Sequence, residues 1–218
     1  HYIDIMVFAG IFSIVSLGLC MLMGYAGQVS MAQAAFFGIG AYTSGILTSH
    51  FHWHPLPAIP IGCLLSAAVA WLVGVPALRL KGHYLAMATL GFGEIVHIVL
   101  NQEVEWTGGP SGLVDIPSLK ILGVRISSEE AWYYIVWTAA LCTLIFCFNV
   151  LRSRVGRALR AIHEEETAAD AMGVPTARFK LQVFVLSAVL AAIAGSFYTH
   201  YVTFLNPGTF ARSEEHTS

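Results

Sequence analysis

Charge is what this sequence has least of. Only 11% of its 218 residues are Asp, Glu, Lys or Arg, against roughly 25% in soluble domains. Between Asp4 and Arg79 there is none at all. A soluble fold of this size could not solvate a surface made that way, whereas a lipid-facing one has no need to. No basic stripe exists, and the net charge of −2 excludes a chain built to neutralise a run of phosphates. Each of the three lysines, Lys81, Lys120 and Lys180, is followed by an unsuitable residue: Gly82, Ile121 and Leu181. The Gly-x4-Gly-Lys-Ser/Thr cradle for nucleotide phosphate is therefore missing, and no catalytic site, cofactor or metal is expected. Cysteine is scarce as well. Cys20, Cys63, Cys142 and Cys147 all fall in apolar stretches, without a CxxC or Cys/His zinc spacing, and read as small packing residues.

What is abundant is apolar residues, 56% of the chain. Crossing the hydrocarbon core takes roughly 20 residues of helix, and the apolar runs predict spans at 5–23, 31–49, 58–78, 84–100, 131–150 and 179–201. Backbone in lipid must satisfy its own hydrogen bonds, so helices are the default. The expected fold is an all-α polytopic bundle with interrupted helices and one helix outside the membrane. Arg79 and Lys81 share one connection, and Arg152, Arg154, Arg157, Arg160, Arg178 and Lys180 another. Strict alternation puts both connections on one side, and Lys/Arg enrichment marks it as cytoplasmic. The opposite loop holds only Lys120 and Arg125, beside Glu103, Glu105, Asp115, Glu129 and Glu130.

Two spans are irregular. The run Gly24-Tyr-Ala-Gly27-Gln28-Val-Ser30 separates the first two apolar stretches without one charged group. Ser30-x-x-Gln33 after it reads as a capping box opening a helix, at a depth within the bilayer. Gly91-Phe-Gly93-Glu94 places two glycines and a carboxylate in mid-span, where an ionisable group is costly. His97 shares a helix face with Glu94, a pair able to relay protons in a secondary transporter; a structural Glu paired with a neighbouring helix or with polar backbone at the glycine break is the favoured reading. Ser187, Ala191, Gly195 and Thr199 recur every fourth residue and, with Ala41 and Gly45, form small-residue rows that let helices approach closely. His50, His52 and His54 alternate beside two prolines without an acidic or Cys partner, an interfacial loop with an aromatic anchor rather than a metal site. Residues 107–112 are a turn by composition, with contact to an external binding protein an equal reading.

The connection 151–178 is the most informative. A helix is expected from about Arg157 to Met172, closed by Gly173 in a left-handed cap with Pro175 beyond. Its arginines crowd the start and Glu164, Glu165, Glu166 and Asp170 the later turns, against the helix dipole, so these charges serve outside contacts. Thr167-Ala168-Ala169-x-x-x-Gly173 resembles the EAA loop by which ABC importer permeases dock onto their ATPases. Thr167 stands where the general motif has Glu, a position at which the branched-chain branch is itself loose.

Within that branch the likeness extends. The stretches 24–42, 84–95, 107–112 and 153–173 are collinear with the signatures of LivM-type permease subunits of the branched-chain amino acid ABC transporter family. Members continue with further transmembrane helices, so the permease domain, 1–211, is expected to be incomplete at both ends. The tail 212–218 is similar to a translated sequencing adapter and is expected to be non-native. The resemblance implies a second, LivH-like permease subunit, two cytoplasmic ATPases, an extracytoplasmic amino-acid-binding protein and a bacterial inner membrane. It implies ATPase coupling through Arg157, Arg160, Glu164, Glu165, Glu166, Thr167, Ala168, Ala169, Asp170 and Gly173. The candidate path is Gly24, Gly27, Gln28, Ser30, Gln33, Gly91, Gly93 and Glu94, with the helix start facing a substrate carboxylate. Phe36 and Phe37 are candidates for the aliphatic side chain, core packing being the favoured alternative. An ABC permease for urea or short amides and a proton-coupled transporter are the rival readings.

Overall fold

The computed structural model describes residues 2–78, 80, 83–109, 112–113, 116–117, 120–121, 124–125 and 128–206. Expectations resting on Arg79, Lys81, Asp115, part of the 107–112 turn and the tail 212–218 lie outside the described residues. So do those on the side chains of Glu105, Lys120 and Arg125.

The chain is an all-α multi-pass bundle. Helix α1 (Tyr2–Leu19) runs into a π turn (Cys20–Tyr25) and is followed by α2 (Gln33–Ser49), α3 (Pro55–Ala77) and α4 (His83–Gln102). After a single turn, α5 (Val104–Thr107), come β1 (Lys120–Ile121) and β2 (Val124–Arg125), a two-residue antiparallel pair. Then follow α6 (Glu129–Arg152), α7 (Arg154–Glu164), α8 (Glu166–Ala171) and α9 (Thr176–Val202). Among the described residues five helices, namely Tyr2–Tyr25, α3, α4, α6 and α9, are long and apolar enough to cross a membrane. Helix α2, at 17 residues, is shorter, and ten of those residues are buried.

Helix α9 is the axis of the bundle, packed against α1, α2 and α3. Its small-residue row explains why. An ideal Cβ on Gly195 would lie 2.1 Å from the Phe37 carbonyl oxygen of α2, so only glycine allows that approach. Across this contact Thr199 donates to the Ala41 carbonyl (3.0 Å) and Ser196 to that of Gly40 (3.2 Å). Near the same end the buried His200 bonds Ser44 Oγ through Nε2 (2.8 Å) and the Pro117 carbonyl through Nδ1 (3.0 Å). The carbonyl cannot donate, so Nδ1 carries the proton and Nε2 accepts from Ser44. Tyr201 donates to Asp4 (2.5 Å), joining α9 to α1. A bridge between Leu113 and Leu205, with N–H···O distances of 2.8 and 3.0 Å, closes that end.

Phe36 and Phe37 belong to the core. Phe36 meets Phe184 edge-on with ring centroids 5.6 Å apart, and Phe37 meets Tyr198 at 5.5 Å. All four cysteines are free. Cys142 is exposed and Cys147 buried, as their five-residue offset on one helix requires.

Candidate functional site

Between α1 and α2 the chain leaves regular structure where the sequence is richest in glycine and amides. The last turn of the first span widens into a π turn, a local irregularity frequent at functional sites. Gly27 then takes φ +62°, a left-handed conformation that costs glycine little and other residues more. Gln28 is 3% exposed and neither atom of its amide has a hydrogen-bond partner among the described residues. A buried, unsatisfied amide is a group held at a cost of about 1–3 kcal/mol.

The capping box does not form. Ser30 Oγ accepts from the Ala32 N–H (3.3 Å), the cap residue of α2 is Ala32, and no side chain caps the helix. Gln33 is drawn away because its amide donates to Ser187 Oγ of α9, while the Met31 N–H is taken by Thr89 Oγ1 of α4 at 3.1 Å. Tertiary partners have replaced local ones. These partners also set the depth. Ser187 lies eleven residues after Thr176, about 17 Å along α9, so the uncapped start of α2 sits well inside the span of its neighbour.

The connection 151–178 forms two helices, not one from Arg157 to Met172. Helix α7 starts earlier, at Arg154, where Ser153 Oγ accepts from the Val155 N–H (3.2 Å). It stops at Glu165, which is extended at φ −156°, ψ 106°, before α8 begins at Glu166. The charge order accounts for the break. In one helix from 157 to 172 Glu164–166 would sit mid-helix with no gain from the dipole, whereas a new helix starting at Glu166 gives that carboxylate a favourable first-turn position. Thr167 donates to Glu165 (2.5 Å), Glu166 pairs with Lys180 (2.6 Å), and Asp170 accepts from Thr176 (2.7 Å). Gly173 closes the unit at φ +80°. Glu164, Glu165, Thr167, Ala168 and Asp170 stay exposed, whereas Ala169 is buried. Arg157 is exposed, but Arg160 turns back to the end of α6, donating to the carbonyls of Leu151 (2.9 Å) and Gly156 (3.3 Å).

Helix α7 is docked, not free. Gly156, Leu159 and Ile162 form its buried face. At its end the His163 ring lies against the interrupted segment, with Nδ1 3.2 Å from where a Cβ on Gly27 would be. The loop expected to meet a partner and the segment expected to line a path thus touch.

The second irregular span divides its residues between two faces. Leu85, Thr89 and Phe92 of α4 face inwards, Phe92 packing on Phe36 at 5.4 Å. A Cβ on Gly93 would lie 4.0 Å from the Met31 carbonyl oxygen. Glu94 points the other way, with Met87, Leu90 and Ile98, and a Cβ on Gly91 would meet nothing within 4 Å. The structure therefore joins Gly93 to the α2 start and separates Gly91 and Glu94 from it. The neighbouring-helix partner favoured for Glu94 is not found among the described residues, and the His97 ring takes Asn101 at 3.1 Å. Glu94 lies eleven residues from His83, about 17 Å into the span. An acid there costs about 3 kcal/mol against lipid, so acyl chains are a poor cover for this face.

Sequence reasoning missed His163 and Thr89, and took Ser187 for a packing residue without its bond to Gln33. Each sits in an ordinary helical stretch, and only the packing reveals what it touches.

Comparison with known proteins agrees with this architecture. A family model described as "Branched-chain amino acid transport system / permease component" matches residues 1–213. The chain is 34% identical, over 97% of its length, to the high-affinity branched-chain amino acid transport system permease protein LivM of Escherichia coli (strain K12), covering 55% of that protein. It is 25% identical over 95% of its length to the probable LivM of Methanocaldococcus jannaschii, covering 70% of it. It is also 26% identical over 90% of its length to LivH of Escherichia coli (strain K12), covering 68% of it. The chain thus spans about half the length of the bacterial LivM it matches. No solved structure matches significantly.

Proposed function

From the premise that the chain belongs to the branched-chain amino acid transport system permease family, we propose that it is the LivM-like membrane subunit of an ABC importer for Leu, Ile or Val. Its partners are a LivH-like second permease subunit, two cytoplasmic ATPases and an extracytoplasmic binding protein, in a bacterial inner membrane. The chain contributes the path and the coupling surface, and the ATPases contribute hydrolysis. The observation that carries the reading is the contact of α7 with the uncapped, interrupted entrance to α2. One element meets the motor and the other meets the cargo, and His163 against Gly27 joins them.

The uncapped first turn of α2 carries the positive end of a helix dipole, suited to a transient meeting with a substrate carboxylate at mid-depth. Weak binding there favours release, so selectivity rests with the binding protein. The α7–α8 unit presents the ATPase-facing surface through Arg157, Glu164, Glu165, Thr167, Ala168 and Asp170, shaped by Ala169 and Gly173. Glu166 and Arg160 hold that unit to α9 and α6.

The test uses the natural gene expressed with its neighbouring transport genes. In right-side-out vesicles loaded with ATP, leucine uptake should require that ATP and the external binding protein and persist when an ionophore collapses the proton gradient. A cysteine placed at Glu165 should crosslink to an ATPase subunit. Uptake that follows the proton gradient without ATP, or a Glu165 label reached only from outside, would overturn the proposal.

A further inference from the structure

We infer that His163 is the positioning residue of the transport cycle, the point at which movement of the α7–α8 unit is delivered to the interrupted segment. This inference rests on the proposed function and deepens it, because it names the joint. Three observations converge. The first is contact: His163 Nδ1 stands 3.2 Å from the Cβ position of Gly27, with Cε1 at 4.0 Å, so the ring is seated on bare backbone. Any side chain at residue 27 would push it away. The second is stiffness behind the ring. Ser153 caps the start of α7, Arg160 pins it to α6, and Leu159 and Ile162 are buried, so the helix moves as one piece.

The third is softness ahead of the ring. Gly27 is left-handed, the preceding turn is a π turn, and the adjacent Gln28 amide is buried with neither of its atoms satisfied. A shift of residues 27–30 that brought this amide to a partner would recover the cost of leaving it unpaired. The segment is tied at its far end, through Met31 to Thr89 and Gln33 to Ser187; where it meets His163 the Gln28 N–H is held by the Leu22 carbonyl (3.1 Å), while the Gln28 side-chain amide has no partner among the described residues. A displacement of α7 tilts residues 27–30 and gives Gln28 access to new partners. The first turn of α2, which the path depends on, moves with them. His163 touches neither substrate nor ATPase in this scheme; it acts through Gly27.

The test is made in the complete transporter, purified and reconstituted with its binding protein. Uptake of leucine and hydrolysis of ATP are measured together, and co-purification of the ATPases is checked. His163→Ala should lower the number of leucine molecules moved per ATP hydrolysed about tenfold while the ATPases remain bound. His163→Gln, which keeps a planar group of similar reach, should restore most of the ratio. Gly27→Ala displaces the same ring, so the double variant should be no worse than the more severe single one. An unchanged ratio in His163→Ala, or losses that multiply in the double variant, would overturn the joint. A parallel fall of uptake and hydrolysis would do the same, because it signals only a damaged fold. If the unaltered transporter moved no leucine on ATP, the failure would belong to the proposed function instead.

Discussion

Replacing Gly195 with Ala probes the contact on which the bundle turns. The added Cβ would lie 2.1 Å from the Phe37 carbonyl oxygen, against about 3.4 Å for ordinary contact. A backbone carbonyl cannot rotate away, so α2 and α9 must part by about 1.3 Å, the difference of those distances. That displacement breaks the Thr199–Ala41 and Ser196–Gly40 hydrogen bonds, now at 3.0 and 3.2 Å. Overpacking costs about 1–3 kcal/mol and an interhelical hydrogen bond about 0.6 kcal/mol. The expected loss is therefore about 2–4 kcal/mol. Gly91→Ala is the matched control, since its Cβ meets nothing within 4 Å. There the change should be neutral or favourable by up to about 1 kcal/mol, the ordinary gain of Ala over Gly in a helix. Reversible unfolding in mixed micelles, followed by tryptophan fluorescence against denaturing detergent, measures both. Equal stabilities of the two variants would refute the argument that glycine sets the α2–α9 distance.

Other expectations follow from single contacts. Arg160→Ala removes the donor to the Leu151 and Gly156 carbonyls and should cost about 1 kcal/mol in the same assay; no change would mean that water replaces the guanidinium fully. Glu94→Gln should keep ATP-driven uptake, since His97 is bonded to Asn101. A loss of about a hundredfold, the scale of a removed acid–base group, would revive the proton relay.

Much of the architecture was legible because one physical demand dominates it. Lipid admits only internally hydrogen-bonded backbone, so apolar run lengths mark helices, and the every-fourth-residue pattern marks the close face of α9. The charge and glycine pattern of 153–173 pointed to a helical connection closed by Gly173, and composition alone pointed to an interruption near Gly27. Local rules failed where distant groups competed. The capping box lost to Ser187 and Thr89, which offer Gln33 and Met31 partners at the helix start. The continuous helix lost at Glu165, where a restart puts Glu166 in the first turn of a new helix and beside Lys180.

Sequence by itself determined that this chain lives in a membrane, that its backbone is helical and that its family is a permease one. Hydrophobicity and periodicity are properties of neighbours along the chain, and they suffice for the membrane and the helices; the family rests on the likeness of whole stretches of sequence to known permeases. Only the tertiary structure decided that α2 begins inside the bundle, that Glu94 turns away from that start, and that His163 rests on Gly27. Each is a meeting of residues far apart in the chain or on opposite faces of one helix, and the free energy that selects it comes from packing in three dimensions.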